Sequence, residues 1–323
     1  MRAAWYERTG DAAEVLRAGD LPDPVPAQGE VRIRIAASGV NPGDLKKRSG
    51  AFSRELPYAR IVPHSDGAGV VDAVGPGVDG SRLGERVWCF GAQSYRPFGT
   101  AAEFCCVPEA DVARLPDAVD FELGALLGIP GITAYEAVHC FGEPRGRTVL
   151  VQGGAGAVGS IAVAMAKRAG ARVVATVRVE NDAPVAREAG ADLVLTGAAE
   201  TEAGVPAFAP EGVDHIVEVA LGANIALDTR LLKIGGSIAV YATNDPEPRV
   251  PVWPLVFKNI SVRFLGSDDF EPDRKRAAAD ALTEAAAEGW IGLPVGARYS
   301  LPEIAESHLA VERRTPGRVV VLP

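Results

Sequence analysis

The stretch Val149–Arg178, VLVQGGAGAVGSIAVAMAKRAGARVVATVR, constrains this chain more than any other. Gly153, Gly156 and Gly159 stand three apart between a short apolar run and a long helical pattern, and a second apolar run follows. A strand-to-helix turn that holds a pyrophosphate must bend sharply, approach the ligand closely and leave its helix packed on the sheet. Glycine meets all three needs because it lacks Cβ. The helix N-terminus then offers unpaired N–H groups and a partial positive charge. The pattern therefore reads as a nucleotide-binding turn, with contacts from the backbone of Gly153, Ala155, Gly156, Ala157, Val158 and Gly159. A tight βα connection without ligand is the competing reading.

The surrounding texture supports the first. From residue 122 onward strand and helix patterns alternate: TVLVQ, the helix after the glycines, ARVVATV, APVAREAG, ADLVL, VDHIVEVA, NIALDTRLLK and GSIAVYA. That alternation is the signature of a doubly wound parallel α/β sheet. The segment ELGALLGIPGITAYEAV before it is helical, with an expected break at Gly128–Gly131. Residues 1–121 differ: VRIRIAASGV alternates apolar and polar positions, and GAGVVDAVGPGV, ERVWCFG and FGTAAEFCCVP are short runs with turn residues between them. Such spacing suggests a small barrel. After residue 262 an amphipathic helix is expected over 274–290, then TPGRVVVLP as an edge-type strand. The expected domains are 1–121 completed by 263–323, and 122–262.

Composition narrows the partners. A net charge of −9 over 323 residues argues against nucleic acid, whose phosphates need clustered Lys and Arg. No apolar run approaches the length that spans a bilayer, so no membrane partner is expected. Cys89, Cys105, Cys106 and Cys140 show no CxxC spacing, as in a reduced cytoplasmic protein.

The end of the second sheet strand chooses between dinucleotides. A carboxylate there would bind the adenosine ribose and repel a 2′-phosphate. This strand ends in Arg178, whose fork of donors suits a phosphate, and the first carboxylate is Glu180. NADPH is the expected cofactor. A solvated surface role for Arg178 is the alternative.

A small barrel, a nucleotide sheet and a return to the barrel together resemble the medium-chain dehydrogenase/reductase superfamily, which implies a GroES-like β-barrel catalytic domain beside a Rossmann-type sheet. In its zinc enzymes a Cys near position 40 and a His-Glu pair bind the metal. Here SGVNPGDLKKRSG carries Asn41, and in PHSDGAGVV Ser65 takes the position of the metal His while His64 sits where glycine is usual. SGVNPGD with R-S-G, and GGAGAVGS, are similar to the quinone oxidoreductase (zeta-crystallin-like) branch, which uses NADPH without metal. His64, Asp66 and Cys89 give no completing ligand set, so no metal is expected. His64-Ser65-Asp66 as a hydrolase triad fails because neighbours on a strand point to opposite faces.

The resemblance further implies that Asn41 and Asp44 lie near the nicotinamide. Asn41 can offer N–H donors to a carbonyl, and Asp44 can organise the loop through Arg48; a local Asx-type turn accounts for both equally well. Lys46 and Phe52 stand where relatives often have tyrosines, and Phe52 can pack on a flat acceptor in the substrate pocket. Thr133, Tyr241-Ala242-Thr243 and Phe264-Leu265-Gly266 resemble further cofactor contacts; for Thr133 a helix N-cap is the alternative. Relatives pair sheet edges, so a homodimer through GSIAVYA or NISVRFLG is implied. Hydride transfer to a quinone or other conjugated carbonyl, a small-molecule acceptor that spreads the arriving charge itself, is the expected reaction. The alternatives are an enoyl reductase acting on a polyketide-type or thioester intermediate, and a nucleotide-binding protein without turnover.

Overall fold

In a computed structural model, residues 1–289 and 292–323 are described. The chain divides into two compact units, 1–132 with 268–323, and 133–267. The sequence placed these divisions at 121/122 and 262/263. The first division between these compact units falls inside the helix Gly128–His139, whose opening turn is hydrogen-bonded into the first unit.

The second unit holds six parallel strands in the order Leu193–Thr196, Arg172–Val177, Thr148–Val151, Val213–Glu218, Leu232–Val240 and Ser261–Phe264. Numbered along the sheet's own sequence this is 3-2-1-4-5-6, the doubly wound order. Val149, Leu150 and Val151 are wholly buried, as are Val173, Val174 and Ala175. Strands covered on both faces read as continuous apolar runs rather than alternating ones. The helix Ala157–Arg168 buries Gly159 through Ala166 and carries Lys167 and Arg168 in its last turn, where cations suit the dipole. Connection direction reverses between Thr148–Val151 and Val213–Glu218, and in such sheets ligands bind at the carboxyl ends of those strands. Of the two segments expected at an edge, Leu232–Val240 is interior and Ser261–Phe264 is the edge.

In the first unit a seven-stranded sheet runs Val295–Ser300, Arg318–Leu322, Glu30–Val40, Asp66–Val74, Arg86–Cys89 and Val112–Arg114, with Phe104–Pro108 also paired to Glu30–Val40. Along Glu30–Val40 the buried Val31, Ile33, Ile35 and Ala37 alternate with outward residues, and the first three join Val71, Val87 and Cys105 in the core. A separate two-stranded pair, Arg2–Trp5 with Arg17–Asp20, packs in a second core cluster.

Three local expectations change. The closing strand is not an edge: Arg318–Leu322 lies between Val295–Ser300 and Glu30–Val40, and its buried valine run is what two covered faces require. The Gly-Ile-Pro-Gly segment does not break a helix but opens one, Gly128–His139, with Pro130 in the first turn, where its missing N–H is not needed. The run at 98–108 is strand only from Phe104; before it, backbone bonds such as Gly99 N–H to Val62 O hold the chain as a loop. The helix expected over 274–290 spans Pro272–Ala287, and Trp290 lies outside the described residues.

Candidate active site

The glycine turn begins where Val151 ends its strand. Gly153 adopts φ +71°, and a Cβ on Gly159 would sit 2.1 Å from the Gly153 carbonyl oxygen, so both positions require glycine. The helix starts after Gly156 without a side-chain cap, leaving the first-turn amides of Ala157, Val158 and Gly159 without intrahelical acceptors. A ligand phosphate fits such donors, and the cradle has room for it only because no side chain fills it.

Behind the turn lies a hydrogen-bonded support that the sequence reading missed. Gly153 N–H donates to Thr176 Oγ1 (3.1 Å), Thr176 Oγ1 donates to Gln152 Oε1 (2.7 Å), and Gln152 Nε2 donates to Asp228 Oδ1 (2.7 Å). Asp228 is buried, and desolvation, followed by the nearby Glu218 carboxyl, pushes its pKa well up. The signal was a polar Gln ending an apolar strand, legible only once its partner 76 residues on is known.

Arg178 follows the Arg172–Val177 strand and is exposed, with no hydrogen bond or ion pair among the described residues. Glu180, the first carboxylate after Arg178 in the sequence, accepts from Thr196 Oγ1 (2.8 Å) and Arg187 Nη2 (3.2 Å). Tyr241, Ala242 and Thr243 form the loop at the carboxyl end of Leu232–Val240, and Thr243 Oγ1 closes a turn onto Asp245. Phe264 ends the edge strand, Leu265 N–H is used on Val240 O (2.8 Å), and Gly266 follows in open space. Thr133 is buried six residues into its helix and is therefore not an N-cap.

In the first unit, Asn41 is only 4% exposed and caps the helix Pro42–Ser49. Asp44 closes the capping box by accepting the Asn41 backbone N–H at 2.8 Å. The link expected between Asp44 and Arg48 is not made; Arg48 bonds Glu312 and the Gly10 carbonyl instead. The Asn41 side chain is held at both ends. Its Oδ1 accepts from Arg318 Nη2 (2.7 Å), and its Nδ2 donates to Asp66 Oδ2 (2.5 Å). Asp66 Oδ1 accepts the Ile129 N–H (2.8 Å) at the mouth of the Gly128–His139 helix. A Cβ on Gly128 would come within 2.1 Å of that oxygen. Burial pushes Asp66 up to about 7 and Asp44 up to about 6, and lowers Arg318 to about 10. Arg318 thus stays cationic at neutral pH and partly offsets the two buried carboxyls. Phe52 is 67% exposed, with the Lys46 ammonium 5.7 Å from its ring centre.

His64 lies before the strand, which starts at Asp66, and its φ is +74°. This left-handed backbone explains why glycine is usual there. Thr100 Oγ1 donates to Asp66 O (2.6 Å), so Ser38 Oγ must donate to Thr100 (2.7 Å) and accept from His64 Nδ1 (2.8 Å). His64 Nε2 is then a bare acceptor for His308 Nε2–H at 3.1 Å, and His308 Nδ1 is buried without a partner. Burial lowers His64 to about 3 and drives His308 well down. Among the described residues no three His, Cys, Asp or Glu side chains cluster as metal ligands would.

Known proteins resemble this chain in sequence and fold. Residues 27–117 match the alcohol dehydrogenase GroES-like domain family, and residues 157–284 match the zinc-binding dehydrogenase family. The chain is 32% identical to human quinone oxidoreductase over 315 residues, 95% of this chain and 93% of the relative. The Pseudomonas aeruginosa quinone oxidoreductase is 30% identical over 318 residues, 96% of each. The chain belongs to the quinone oxidoreductase branch of the medium-chain dehydrogenase/reductase superfamily. Among solved structures, a mycobacterial quinone oxidoreductase superposes with a TM-score of 0.87 at 32% identity, covering 100% of both chains. A mycobacterial protein complexed with NADPH gives 0.86, also at 32% identity over 100% of both chains. As a member of this superfamily the chain is an oxidoreductase, with a GroES-like unit and a Rossmann-type unit. Asp66 and Arg318, a buried carboxylate and a buried guanidinium bonded to either end of Asn41, are the site residues to which the sequence reading gave no role.

Proposed function

We propose that this protein reduces a quinone, or another carbonyl conjugated to a double bond, with NADPH and without a metal ion. The observation that carries the cofactor choice is Arg178, exposed and uncommitted at the end of the second sheet strand while Glu180 is engaged by Thr196 and Arg187. An arginine there can fork onto a 2′-phosphate, and the first carboxylate after it in sequence, Glu180, is engaged by Thr196 and Arg187. NADPH, when bound, supplies a hydride to the acceptor, and water supplies the proton that completes the reduction.

The chain's own residues bind and orient. Amides of Ala157, Val158 and Gly159 hold the diphosphate, with Gly153 fixed beneath them through Thr176 and Gln152. Asn41 offers an N–H to the acceptor's carbonyl oxygen, and Phe52 gives an exposed apolar face for a flat ring. A conjugated acceptor delocalises the incoming charge, so one hydrogen-bond donor can serve where an alkoxide would need a Lewis acid.

Two copies pair through the edge strand Ser261–Phe264. Support comes from the exposed Phe264, Trp253, Val256 and Phe257 on or beside that strand, which a second copy would cover. The protein works in the cytoplasm, where its four cysteines remain free thiols.

The test follows NADPH absorbance against a panel of quinones, enones and enoyl thioesters, with metal content measured on the same sample. Steady oxidation with quinones or enones at substoichiometric zinc supports the proposal. Turnover confined to enoyl thioesters would make it an enoyl reductase. Tight NADPH binding with no turnover, or one zinc per chain required for activity, would overturn it.

A further inference from the structure

We propose that Asp66 and Arg318 are positioning residues that lock the Asn41 carboxamide in one orientation, so that its remaining Nδ2 N–H is the donor to the acceptor's carbonyl oxygen. This rests on the reading of Asn41 given above.

The argument is one of hydrogen-bond direction. A carboxamide has two nearly identical faces and can be turned over by rotating its terminal bond. At Asn41 the choice is forced from both sides. Arginine carries donors only, so Arg318 Nη2, 2.7 Å away, can meet only Oδ1. Asp66 Oδ2, 2.5 Å from the other end, accepts from Nδ2, while its Oδ1 accepts the Ile129 N–H. Turning the amide would set N–H against guanidinium and oxygen against carboxylate. All three side chains are buried, so water cannot relieve either clash. Arg318 is itself tethered to Leu126 O (3.4 Å), and the missing Cβ of Gly128 lets the helix mouth close on Asp66. The clamp therefore joins three distant parts of the chain at one amide, and uses one of the two Nδ2 protons. The bond from the Asn41 backbone N–H to Asp44 Oδ2 does not orient the carboxamide, whose two ends are held by Arg318 and Asp66.

The same logic designs the test. Asp66→Asn keeps the shape but presents an amide where only an acceptor served, and Arg318 still forbids the turned-over Asn41; no orientation satisfies both neighbours. Adding Arg318→Gln supplies an acceptor and lets the whole row reverse, restoring the hydrogen bonds with Asn41 facing the wrong way. Arg318→Lys still only donates and keeps the native direction.

In quinone reduction, Asp66→Asn is expected to lower kcat about 100-fold, the scale for a misplaced positioning group, while the NADPH Kd from fluorescence titration stays within about twofold, as the diphosphate turn is untouched. Asp66→Asn/Arg318→Gln is expected to regain the wild-type thermal midpoint but not kcat. Arg318→Lys should retain kcat within about fivefold. Should Asp66→Asn fail to fold, the double variant decides. Recovery of kcat together with the thermal midpoint would overturn the proposal, as would a folded Asp66→Asn with near-wild-type kcat. Should the wild type itself turn over no quinone or enone, the functional reading falls first and this inference with it; wild-type turnover matched by the variants refutes the positioning role alone.

Discussion

Replacing His64 by Asn should make the protein less sensitive to acid, by an amount set by one proton. His64 is wholly buried, and its ring is neutral with every polar atom committed: Nδ1–H to Ser38, and the bare Nε2 to His308. A second ring proton would force two N–H groups together across 3.1 Å in a site without water access. Burial accordingly lowers the folded-state pKa to about 3, against roughly 6.5 in the unfolded chain. The sign follows from proton counting. Between those values the unfolded chain holds the proton and the folded chain does not, so stability is present above the unfolded pKa and is lost as pH falls through the window. The loss is about 1.4 kcal/mol per pH unit, or roughly 2 kcal/mol between about pH 7.5 and about pH 5. Asp44 and Asp66 act in the opposite sense, because burial makes the folded state take up their protons first. Burial also lowers the pKa values of His308 and His215, which act in the same sense as His64, so the difference between variant and wild type is the quantity to read, since contributions common to both cancel. Asparagine tolerates the φ of +74° at this position and does not titrate here. Urea unfolding followed by the fluorescence of buried Trp88 should show a stability gap at pH 7.5 that narrows by about 2 kcal/mol at pH 5. A gap unchanged by pH would refute the reasoning, whatever its absolute size.

Other substitutions probe the remaining parts. Arg178→Glu should raise the NADPH Kd roughly 10- to 100-fold, from the loss of a charge-assisted contact, and leave NADH binding nearly unchanged; equal losses for both would remove the phosphate role. Gly159→Ala places a Cβ 2.1 Å from Gly153 O, and should abolish dinucleotide binding in a titration at a stability cost of about 1–3 kcal/mol; retained affinity would refute the tight-turn geometry. Phe264→Lys on the exposed edge strand should shift the sedimentation profile from dimer to monomer; a dimer that persists would place the contact elsewhere.

What could be read in advance was what local rules dictate. The parallel alternation and the glycine turn are periodic or steric signals carried by neighbouring residues, and both are present where the sequence put them. Signals that depend on a distant partner were not legible. His64 meets His308 across 244 positions, and Asn41 meets Arg318 across 277, so nothing near either residue announced the pairing. The strand Val295–Ser300 was missed because its residues alternate between half-buried and exposed and include a glycine. Its neighbour looked like an edge for lack of it. Glycine and proline at 128–131 were read as punctuation inside a helix, yet the same residues are permitted in a first turn, and only the contact with Asp66 shows which applies. Arg178 and Phe52 were legible as types but not as exposures.

The guanidinium of Arg318 also bears on redesign. It occupies the neighbourhood of position 41, where zinc-dependent members of the superfamily carry a metal-ligating cysteine, and it keeps its positive charge at neutral pH. Grafting ligands by Asn41→Cys and Ser65→His would leave that fixed cation in place, repelling any incoming divalent ion, and would cut the amide that separates it from Asp66. On the proposed metal-free reading, conversion toward a metalloenzyme would therefore have to deal with residue 318, far along the chain from either grafted ligand, as well as with the ligands themselves.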